Sequence, residues 1–282
     1  MVDPQLQADV LNQAFPYIQA FRGQTFVVKY GGSAMRDPAA MAGVIRNVLL
    51  LQLVGIRPIL VHGGGPEIDT WLTRLGMEKK TVDGLRVTDQ DTMDVVEMAL
   101  AGRANKSLVA EVQRLGGRSV GLSGRDADIL VAEPISEALG RVGHVTQVNP
   151  ALLETVTQAG YIPVVCSVAT DSSHAALNVN ADSAAGAIAS AMGASKLILL
   201  TDTHGVLAKV DDHRSTLSKL SREEARLMLS SGRADRGMIP KLESALAALE
   251  SGVGSVHLIN GGAENALLVE VFTDQGIGTM MV

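Results

Sequence analysis

The sequence predicts an α/β fold with a mostly parallel sheet covered by helices on both faces. β-rich runs such as TFVVKY (25–30) and KLILLT (196–201) alternate with helical stretches along the chain, and this alternation is typical of parallel sheets. With 46% apolar residues, the 282-residue chain has enough apolar material for two cores. Its 29 glycines are spread along the chain, which indicates tight turns between elements.

Each element is predicted from its own pattern. Residues 5–21 predict a helix because Leu6, Val10 and Ile18 recur at helical spacing, and Pro16 predicts a kink or two short pieces. Further helices are predicted at 37–53, 66–76, 89–115, 150–159, 181–192, 221–231, 240–251 and 264–271. Strands are predicted at 25–30, 57–62, 118–122, 161–168, 196–201 and 256–260, with a hairpin over 129–148 and a terminal strand. The polar, irregular stretch 169–180 is predicted to separate two directly packed lobes.

The composition argues against several classes of function. The formal charge is −6 and aromatic residues make up 3%, so the basic patch and stacking aromatics of nucleic-acid binders are missing. Cys166 is the single cysteine, which rules out an intrachain disulfide and predicts a small buried thiol. No secretory leader is recognisable, and the longest apolar run, 48–61, is interrupted too soon for a membrane span. We therefore expect a cytoplasmic protein with no nucleic-acid or membrane partner.

Two glycine turns follow predicted strands, where ligands bind in open α/β sheets. The first is KYGGS (29–33), and the second is HGGG (62–65), which runs directly into a helix. Backbone N–H groups beside glycines can approach an oxyanion closely, and a helix N-terminus favours negative charge. One such turn would be an ordinary connection, but two turns with a lysine predict an enzyme that moves a phosphoryl group.

Other motifs for nucleotide or ester chemistry fail. The sequence has no Gly-Lys dipeptide and no G-x-G-x-x-G, so a Walker A loop and the standard dinucleotide turn are excluded. HGGG (62–65), GRSVG (117–121) and His257 resemble a lipase constellation. However, Ser119 begins a predicted strand, whereas the nucleophile of such enzymes leaves a strand and enters a helix. The six histidines show no metal-ligand spacing.

Three further segments carry polar residues suited to a charged substrate. Arg86 lies on a predicted hairpin, and arginine suits carboxylate recognition, although a lone arginine is usually a solvated charge. Asn180 and Asp182 enter an alanine-rich helix, where either could be only a helix cap. Lys241 lies on a helix that Pro240 opens.

Seven motifs occur in a familiar order and spacing, namely KYGGSAM, LVHGGGPEI, DGLRVTD, LNVNAD, KLILLTD, GMIPK and GIGTM. Together they resemble the N-acetylglutamate kinases of the amino-acid-kinase family, from about residue 8 to the C-terminus. The resemblance implies a three-layer αβα sandwich with an N-terminal helix (1–22), a lobe for N-acetyl-L-glutamate (23–177) and a lobe for ATP (178–282). It implies conversion of ATP and N-acetyl-L-glutamate into ADP and N-acetyl-L-glutamyl 5-phosphate, a step of L-arginine biosynthesis. Any Mg²⁺ would be held mainly by the nucleotide phosphates.

The resemblance also implies the roles of individual residues. Lys29 and Lys241 would stabilise the transferring phosphoryl group, and Asp182 would orient both lysines. The residues that would bind the substrate and the phosphoryl group are Gly32, Gly64, Gly65, Arg86, Asn178 and Asn180, with Arg86 on the α-carboxylate. A carboxylate acceptor is already ionised at neutral pH, so positioning and charge neutralisation suffice without a general base.

Regulation is a further implication of the resemblance. A helix before the first strand is typical of the arginine-inhibited, hexameric branch, in which a trimer of dimers interlaces these helices. The matching arginine-site positions are Tyr17, Lys196, Ser215, Glu270 and Gly276. Some relatives bind a small nitrogen-signalling protein of the P-II type. Ser183 and Arg236 depart from the pattern of the family, and the sequence leaves the role of Arg236 open.

Two alternatives stay open on the sequence alone. A sister kinase could act on N-acetyl-aminoadipate or carrier-bound glutamate, since one methylene gives only about 1–3 kcal/mol of discrimination. The chain could also be a catalytically silent arginine sensor, although it retains both lysines and Asp182.

Overall fold

The structure is a computed structural model that describes residues 3–282 except Ser33, Ala34, Arg36, Asp83, Val210, Asp211, His213, Arg214 and Arg236. Its helices are α1 (Pro4–Phe21), α2 (Pro38–Leu53), α3 (Gly65–Arg74), α4 (Gln90–Glu97), α5 (Asn105–Arg114), α6 (Ala151–Gln158), α7 (Ala181–Ala191), α8 (Arg222–Ser230), α9 (Ile239–Glu250) and α10 (Ala266–Phe272), and a π-helical segment (Met98–Ala104) joins α4 to α5. Its strands are β1 (Thr25–Tyr30), β2 (Arg57–His62), β3 (Thr81–Val82), β4 (Leu85–Arg86), β5 (Ser119–Ser123), β6 (Leu130–Pro134), β7 (Val142–Val148), β8 (Ile162–Cys166), β9 (Val168–Thr170), β10 (Ala176–Val179), β11 (Lys196–Thr201), β12 (Lys219–Leu220), β13 (Ser255–Asn260) and β14 (Thr279–Met281).

The central sheet has eight strands in the order β12-β14-β13-β11-β1-β2-β8-β5. The strands from β13 to β5 in this order are parallel, and β14 runs antiparallel to β13. β1 and β11 pair directly, from Phe26 opposite Lys196 to Lys29 opposite Leu199. The sheet is therefore continuous between the two halves of the chain, and the predicted mostly parallel α/β fold is confirmed.

The two large apolar clusters lie on opposite faces of this sheet. Because side chains alternate along a strand, Val27 joins the cluster with α7 and α9, whereas Phe26 and Val28 join the cluster with α2, α5 and α10. Each cluster takes residues from both halves of the chain. The two cores are thus the two faces of one sheet, and the division of the chain at residues 177 and 178 stays a prediction.

A second, smaller sheet corrects two sequence predictions. The hairpin predicted over 129–148 is present as β6 and β7, and these strands close with β9 and β10 into a four-stranded unit. The single strand predicted at 161–168 is wrong, because β8 belongs to the central sheet and β9 to the small one. The irregular character predicted for 169–180 is also wrong, because β9 and β10 pair antiparallel there. The polar residues of this stretch form the turn, where Asp171 accepts hydrogen bonds from Ser173 and Ala175.

Two helical predictions need correction as well. α1 is one continuous helix through Pro16, so the predicted alternative of two short pieces is wrong and the kink stays a prediction. None of its residues is buried, so water can bond to the carbonyl group that loses its partner at proline. The helix predicted over 89–115 contains the π-helical segment, which periodicity alone does not reveal. The short strand β12 was not predicted.

Two further predictions concern single features. Cys166 is buried, as predicted, and burial raises the pKa of its thiol to about 11. None of the described helices combines the length and apolar character that crossing a membrane requires.

Candidate active site

Two lysines from distant parts of the chain meet on one carboxylate. Lys29 shares a face of β1 with Val27, and α7 and α9 cover that face. Asp182 lies in the first turn of α7, with Oδ1 2.9 Å from Nζ of Lys29 and Oδ2 2.8 Å from Nζ of Lys241 on α9. Lys29 and Asp182 are buried. The three predicted catalytic residues are therefore brought together.

The charge state of this group follows from its surroundings. Burial alone would raise the pKa of Asp182, but the charges of Lys29 and Lys241 outweigh burial and hold the pKa below its ordinary value. An ionised carboxylate between two ammonium groups leaves one positive charge in excess. This excess is suited to an incoming phosphate.

A cavity of about 250 Å³ opens beside the ion pair between Lys29 and Asp182. Its lining contains every residue predicted to bind the substrate, namely Gly32, Gly64, Gly65, Arg86, Asn178 and Asn180. Lys241 does not line this cavity and reaches its edge through Asp182.

Close packing explains why two of these positions are glycine. Gly32 has a φ of +76°, and a Cβ atom there would lie 2.9 Å from the carboxylate of Asp202. A Cβ atom on Gly64 would lie 2.6 Å from a methyl group of Leu100 in the π-helical segment. Side chains are therefore excluded from both turns, and the backbone N–H groups stay accessible to an oxyanion.

Arg86 is held at one nitrogen and left unpartnered at the other. Its Nη2 atom donates to Oδ1 of Asp69 on α3 and, at 3.4 Å, to the carbonyl of Gly65. Its Nη1 atom is buried without a hydrogen-bond partner, although such groups are nearly always satisfied in folded proteins. Arg86 also lines the cavity, so its guanidinium group lies where a carboxylate could bind it.

Asp69 is a site residue that sequence reasoning missed. Its second oxygen accepts a hydrogen bond from Lys79 at 2.9 Å. Burial opposes the charge of Asp69, but Lys79 and Arg86 together hold its pKa below the ordinary value. The sequence offered no signal for this contact, because α3 and the β3–β4 hairpin meet only in the fold.

The two asparagines of the predicted set have distinct contacts. Asn180 is the N-cap of α7, and its Oδ1 atom accepts from the backbone N–H groups of Asp182 at 2.8 Å and Ser183 at 3.1 Å. The prediction that Asn180 could cap this helix is therefore confirmed. Nδ2 of Asn178 donates to the hydroxyl of Thr88 at 3.3 Å.

A larger cleft of about 730 Å³ adjoins the cavity and shares Leu85, Val179 and Asn180 with it. Among the described residues that line it there is no lysine or arginine, so phosphate binding is favoured in the smaller cavity. Ser119, considered for an esterase, opens β5, and its hydroxyl donates to Val109 at 3.4 Å. It is therefore not on a strand-to-helix turn.

A second polar cluster lies at the amino ends of β11 and β13. Nδ1 of His257 lies 2.6 Å from Oε1 of Glu270, and its Nε2 lies 3.0 Å from Nζ of Lys196. An ammonium group can only donate, so Nε2 accepts and Nδ1–H donates to Glu270. Burial and the charge of Lys196 lower the pKa of His257, which agrees with a neutral ring. Sequence reasoning considered His257 only for an esterase and missed this contact.

Four of the five predicted arginine-site residues lie around this cluster. Lys196 and Glu270 flank His257, and a Cβ atom on Gly276 would lie 2.7 Å from Oε2 of Glu270. Tyr17 packs on Phe21, whose ring lies 5.1 Å from Nζ of Lys196. The Ser215 hydroxyl bonds within its own turn, to Lys209 and Asp212. The described contacts therefore do not bring Ser215 to this cluster, and its role stays a prediction.

Arg236, whose role the sequence leaves open, lies outside the described residues. Among the residues that are described, no three histidine, cysteine, aspartate or glutamate side chains are arranged to hold a metal ion.

Comparison with known proteins decides the family. The profile of the amino acid kinase family matches residues 24–260. The chain belongs to the amino acid kinase family. Among members of this family, the acetylglutamate kinase of Nostoc sp. is 52% identical over 98% of this chain and 93% of its own. That of Gloeobacter violaceus is 49% identical over 100% of this chain and 95% of its own. The resemblance read from the seven motifs is thereby confirmed.

Solved structures agree on the amino acid kinase fold. N-acetylglutamate synthase from Neisseria gonorrhoeae, complexed with coenzyme A and N-acetyl-glutamate, superposes with a TM-score of 0.86 at 28% identity over 98% of this chain. The chain spans only 63% of the length of that synthase. Carbamate kinase from Giardia lamblia bound to AMP-PNP superposes with a TM-score of 0.65 at 12% identity over 92% of this chain and 98% of its own, which supports the fold alone.

Proposed function

We propose that this chain transfers the γ-phosphoryl group of ATP to the side-chain carboxylate of N-acetyl-L-glutamate, as a step of L-arginine biosynthesis. The products are N-acetyl-L-glutamyl 5-phosphate and ADP. The observation that carries the proposal is the ion-pair group of Lys29, Asp182 and Lys241 beside a cavity that Arg86 lines. The acetylglutamate kinases that share about half of its residues support the choice of substrate.

The proposed step needs no proton transfer. A carboxylate oxygen of the substrate attacks the γ-phosphorus, and the bond from that phosphorus to the bridging oxygen of ADP breaks. The attacking carboxylate is already ionised at neutral pH, and the phosphates of ATP and ADP are ionised as well. The protein must therefore hold the two anions together and neutralise the charge that develops, as in other phosphoryl transfers. Lys29 and Lys241 supply the charge, and Asp182 keeps both ammonium groups in place.

The acceptor is held at its two ends. Arg86 binds the α-carboxylate with its free Nη1 atom, since a guanidinium group matches a carboxylate geometrically. Asn178 and Asn180 lie along the cavity beside the N-acetylated backbone of the substrate. Gly32, Gly64 and Gly65 line the same cavity, and their N–H groups would receive the phosphoryl group.

The donor fits the same glycine turns. The Gly32 turn has no room for a Cβ atom and lies beside Lys29, so it offers a cradle for phosphate oxygens. Mg²⁺ would be bound mainly by the nucleotide phosphates and would neutralise part of their charge. The described charged groups beside the transfer path are Lys29, Lys241 and Asp182, and the carboxylate of Asp202 lies against the Gly32 turn.

The experiment is an ADP-release assay with N-acetyl-L-glutamate, L-glutamate and N-acetyl-aminoadipate as acceptors. We expect turnover with N-acetyl-L-glutamate to exceed that with both others. A preference for N-acetyl-aminoadipate, or turnover only with glutamate on a carrier protein, would identify a sister kinase. Arginine binding by calorimetry without any turnover would identify a silent arginine sensor.

The regulatory predictions belong to the same proposal. L-arginine binds beside α1 and β11, where Glu270 is a buried carboxylate and Lys196 and Tyr17 lie close by, with Gly276 leaving space. The chain assembles as a hexamer, a trimer of dimers, through α1. Binding of a P-II protein stays a prediction from the resemblance, and a cytoplasmic location stays a prediction from the composition. Inhibition curves with L-arginine, light scattering and co-purification with a P-II protein test these points.

A further inference from the structure

The second glycine turn, Gly63–Gly65, rests on a buried histidine. His62 is the last residue of β2 and is fully buried. Its Nδ1 atom lies 2.8 Å from the carbonyl oxygen of Gly63. A carbonyl oxygen can only accept, so Nδ1 must carry a hydrogen. The ring therefore fixes the direction of the peptide group that opens the turn.

The other ring nitrogen is set by Asn105. Nδ2 of Asn105 lies 3.1 Å from Nε2 of His62, 2.8 Å from the carbonyl of Val164 and 3.2 Å from that of Leu122. Its Oδ1 atom accepts from Nζ of Lys106 at 3.1 Å. An ammonium group only donates and carbonyls only accept, so the orientation of the amide is fixed without ambiguity. The two amide hydrogens are shared among three acceptors, and Nε2 of His62 faces a nitrogen that cannot accept. Nε2 is therefore an acceptor in this arrangement, which makes the ring neutral with its hydrogen on Nδ1.

The π-helical segment brings Asn105 to this position. The backbone N–H of Asn105 bonds to the carbonyl of Leu100, five residues earlier, which is the π pattern. Leu100 also packs against Gly64. The same turn of helix thus contacts the glycine turn twice, at Gly64 through Leu100 and beneath Gly63 through Asn105 and His62. Segments of this kind often lie at functional sites.

The neighbouring strand leaves room for this arrangement. A Cβ atom on Gly121 would lie 2.0 Å from Oδ1 of Asn105 and 2.7 Å from Nζ of Lys106. Any side chain at this position of β5 would displace the amide. The His62–Asn105 pair is therefore held by four elements, β2, β5, β8 and α5. Neither side chain takes part in the proposed transfer step.

We propose that Asn105 is a positioning residue, which sets the tautomer of His62 and thereby aims the Gly64 N–H group at the transferring phosphoryl group. This inference rests on the function proposed above. The donors of an oxyanion site act through their direction, and their contribution is made in the transition state. A change at Asn105 should therefore lower kcat more than it raises KM.

The first test reads the wild-type protein directly. Nitrogen-15 NMR of histidine-labelled protein near neutral pH should show His62 neutral with its hydrogen on Nδ1. Its signal is assigned by its loss in His62→Gln. A hydrogen on Nε2, or a doubly protonated ring, would overturn the inference without requiring any Asn105 variant to fold.

The second test is Asn105→Asp, which keeps the shape but presents only acceptors to Nε2. We expect His62 to take up a second proton and kcat to fall about tenfold or more, short of the roughly 10²–10³ of a lost donor. The matched control is Asn47→Asp, because Asn47 is equally buried and bonds Asn265, away from the turn. Equal kcat values in the two variants would overturn the inference. Wild-type protein that fails to turn over N-acetyl-L-glutamate would instead refute the proposed function.

Discussion

Nζ of Lys29 lies 2.9 Å from Oδ1 of Asp182, and this ion pair joins the first strand of the sheet to the first turn of α7. Both partners are buried, and Lys241 occupies the second oxygen of the carboxylate. The three charges therefore act as one unit, since Asp182 is the shared partner of both lysines and moving it would leave the buried Lys29 without a partner.

The first prediction concerns this unit. Lys29→Ala and Lys241→Ala should each lower kcat about 10²–10³, the scale of one lost oxyanion donor. Asp182→Asn should lower kcat as well, and adding it to either lysine change should cost less than the sum, because the residues work together. Steady-state kinetics measure this. Lys219→Ala, on an exposed lysine, is the control, and near-normal turnover in either lysine variant would refute the assignment.

The second prediction separates substrate binding from catalysis. Asp69→Asn removes the charge that holds Nη2 of Arg86, so KM for N-acetyl-L-glutamate should rise about tenfold, as expected for a hydrogen bond to a charged group. The KM for ATP should stay near the wild-type value. Lys79→Ala is the control, because Lys79 bonds the other oxygen of Asp69 but is half exposed, and such pairs contribute only about 0–1 kcal/mol. Equal effects of the two changes would contradict the positioning of Arg86 by Asp69.

The third prediction concerns acid stability. Burial lowers the pKa of His62 to about 4, against about 6.5 in an unfolded chain. Because the folded pKa is the lower one, the stabilisation is complete above about pH 6.5 and is lost as the pH falls toward 4. The loss amounts to about 3 kcal/mol. Urea unfolding across this range should therefore be less pH-dependent in His62→Gln than in the wild type. His144→Gln, at an exposed histidine, should keep the wild-type slope, and equal slopes for both variants would contradict the prediction.

The fourth prediction concerns assembly through α1. None of its residues is buried, and Leu6, Val10, Leu11 and Phe15 are more than half exposed, which is typical of a helix that packs on another copy. Leu11→Asp with Phe15→Asp, or deletion of residues 1–21, should convert hexamers into dimers and weaken inhibition by arginine while kcat is kept. Light scattering measures the mass. Gln7→Asp on the same helix is the control, and unchanged hexamers would contradict the role of α1.

The sequence predicted the periodic elements well and the long-range contacts poorly. β1, β2, β11 and β13 are continuous apolar runs bounded by turns, and such runs are typical of strands buried on both faces. The failures lie where tertiary contacts decide. Pro16 is tolerated because α1 is exposed. Ser167 joins the two sheets, because its backbone N–H bonds to the carbonyl of His62 in β2 and its own carbonyl accepts from Val179 in β10.

The candidate site shows the same limit. The motifs indicated Lys29, Asp182, Lys241 and Arg86, because their chemistry suits a phosphoryl transfer. Asp69, His257 and Asn105 act through neighbours that are distant in sequence, and their residue types are unremarkable. Asp69 gains its role because α3 packs against the β3–β4 hairpin, and Asn105 gains its role because the π-helical segment lies beneath the end of β2.

The direct pairing of β1 with β11 restricts how this enzyme can close on its substrates. Parallel hydrogen bonds between β1 and β11 join the two halves of the chain from Phe26 to Lys29. A hinge rotation of one half against the other would break these hydrogen bonds. Relative motion of the two halves that keeps these hydrogen bonds would be taken up by a change in strand twist. The distance between Lys29 and Lys241 would then stay nearly constant through the catalytic cycle. The largest displacements would occur in the loops beyond the strand ends.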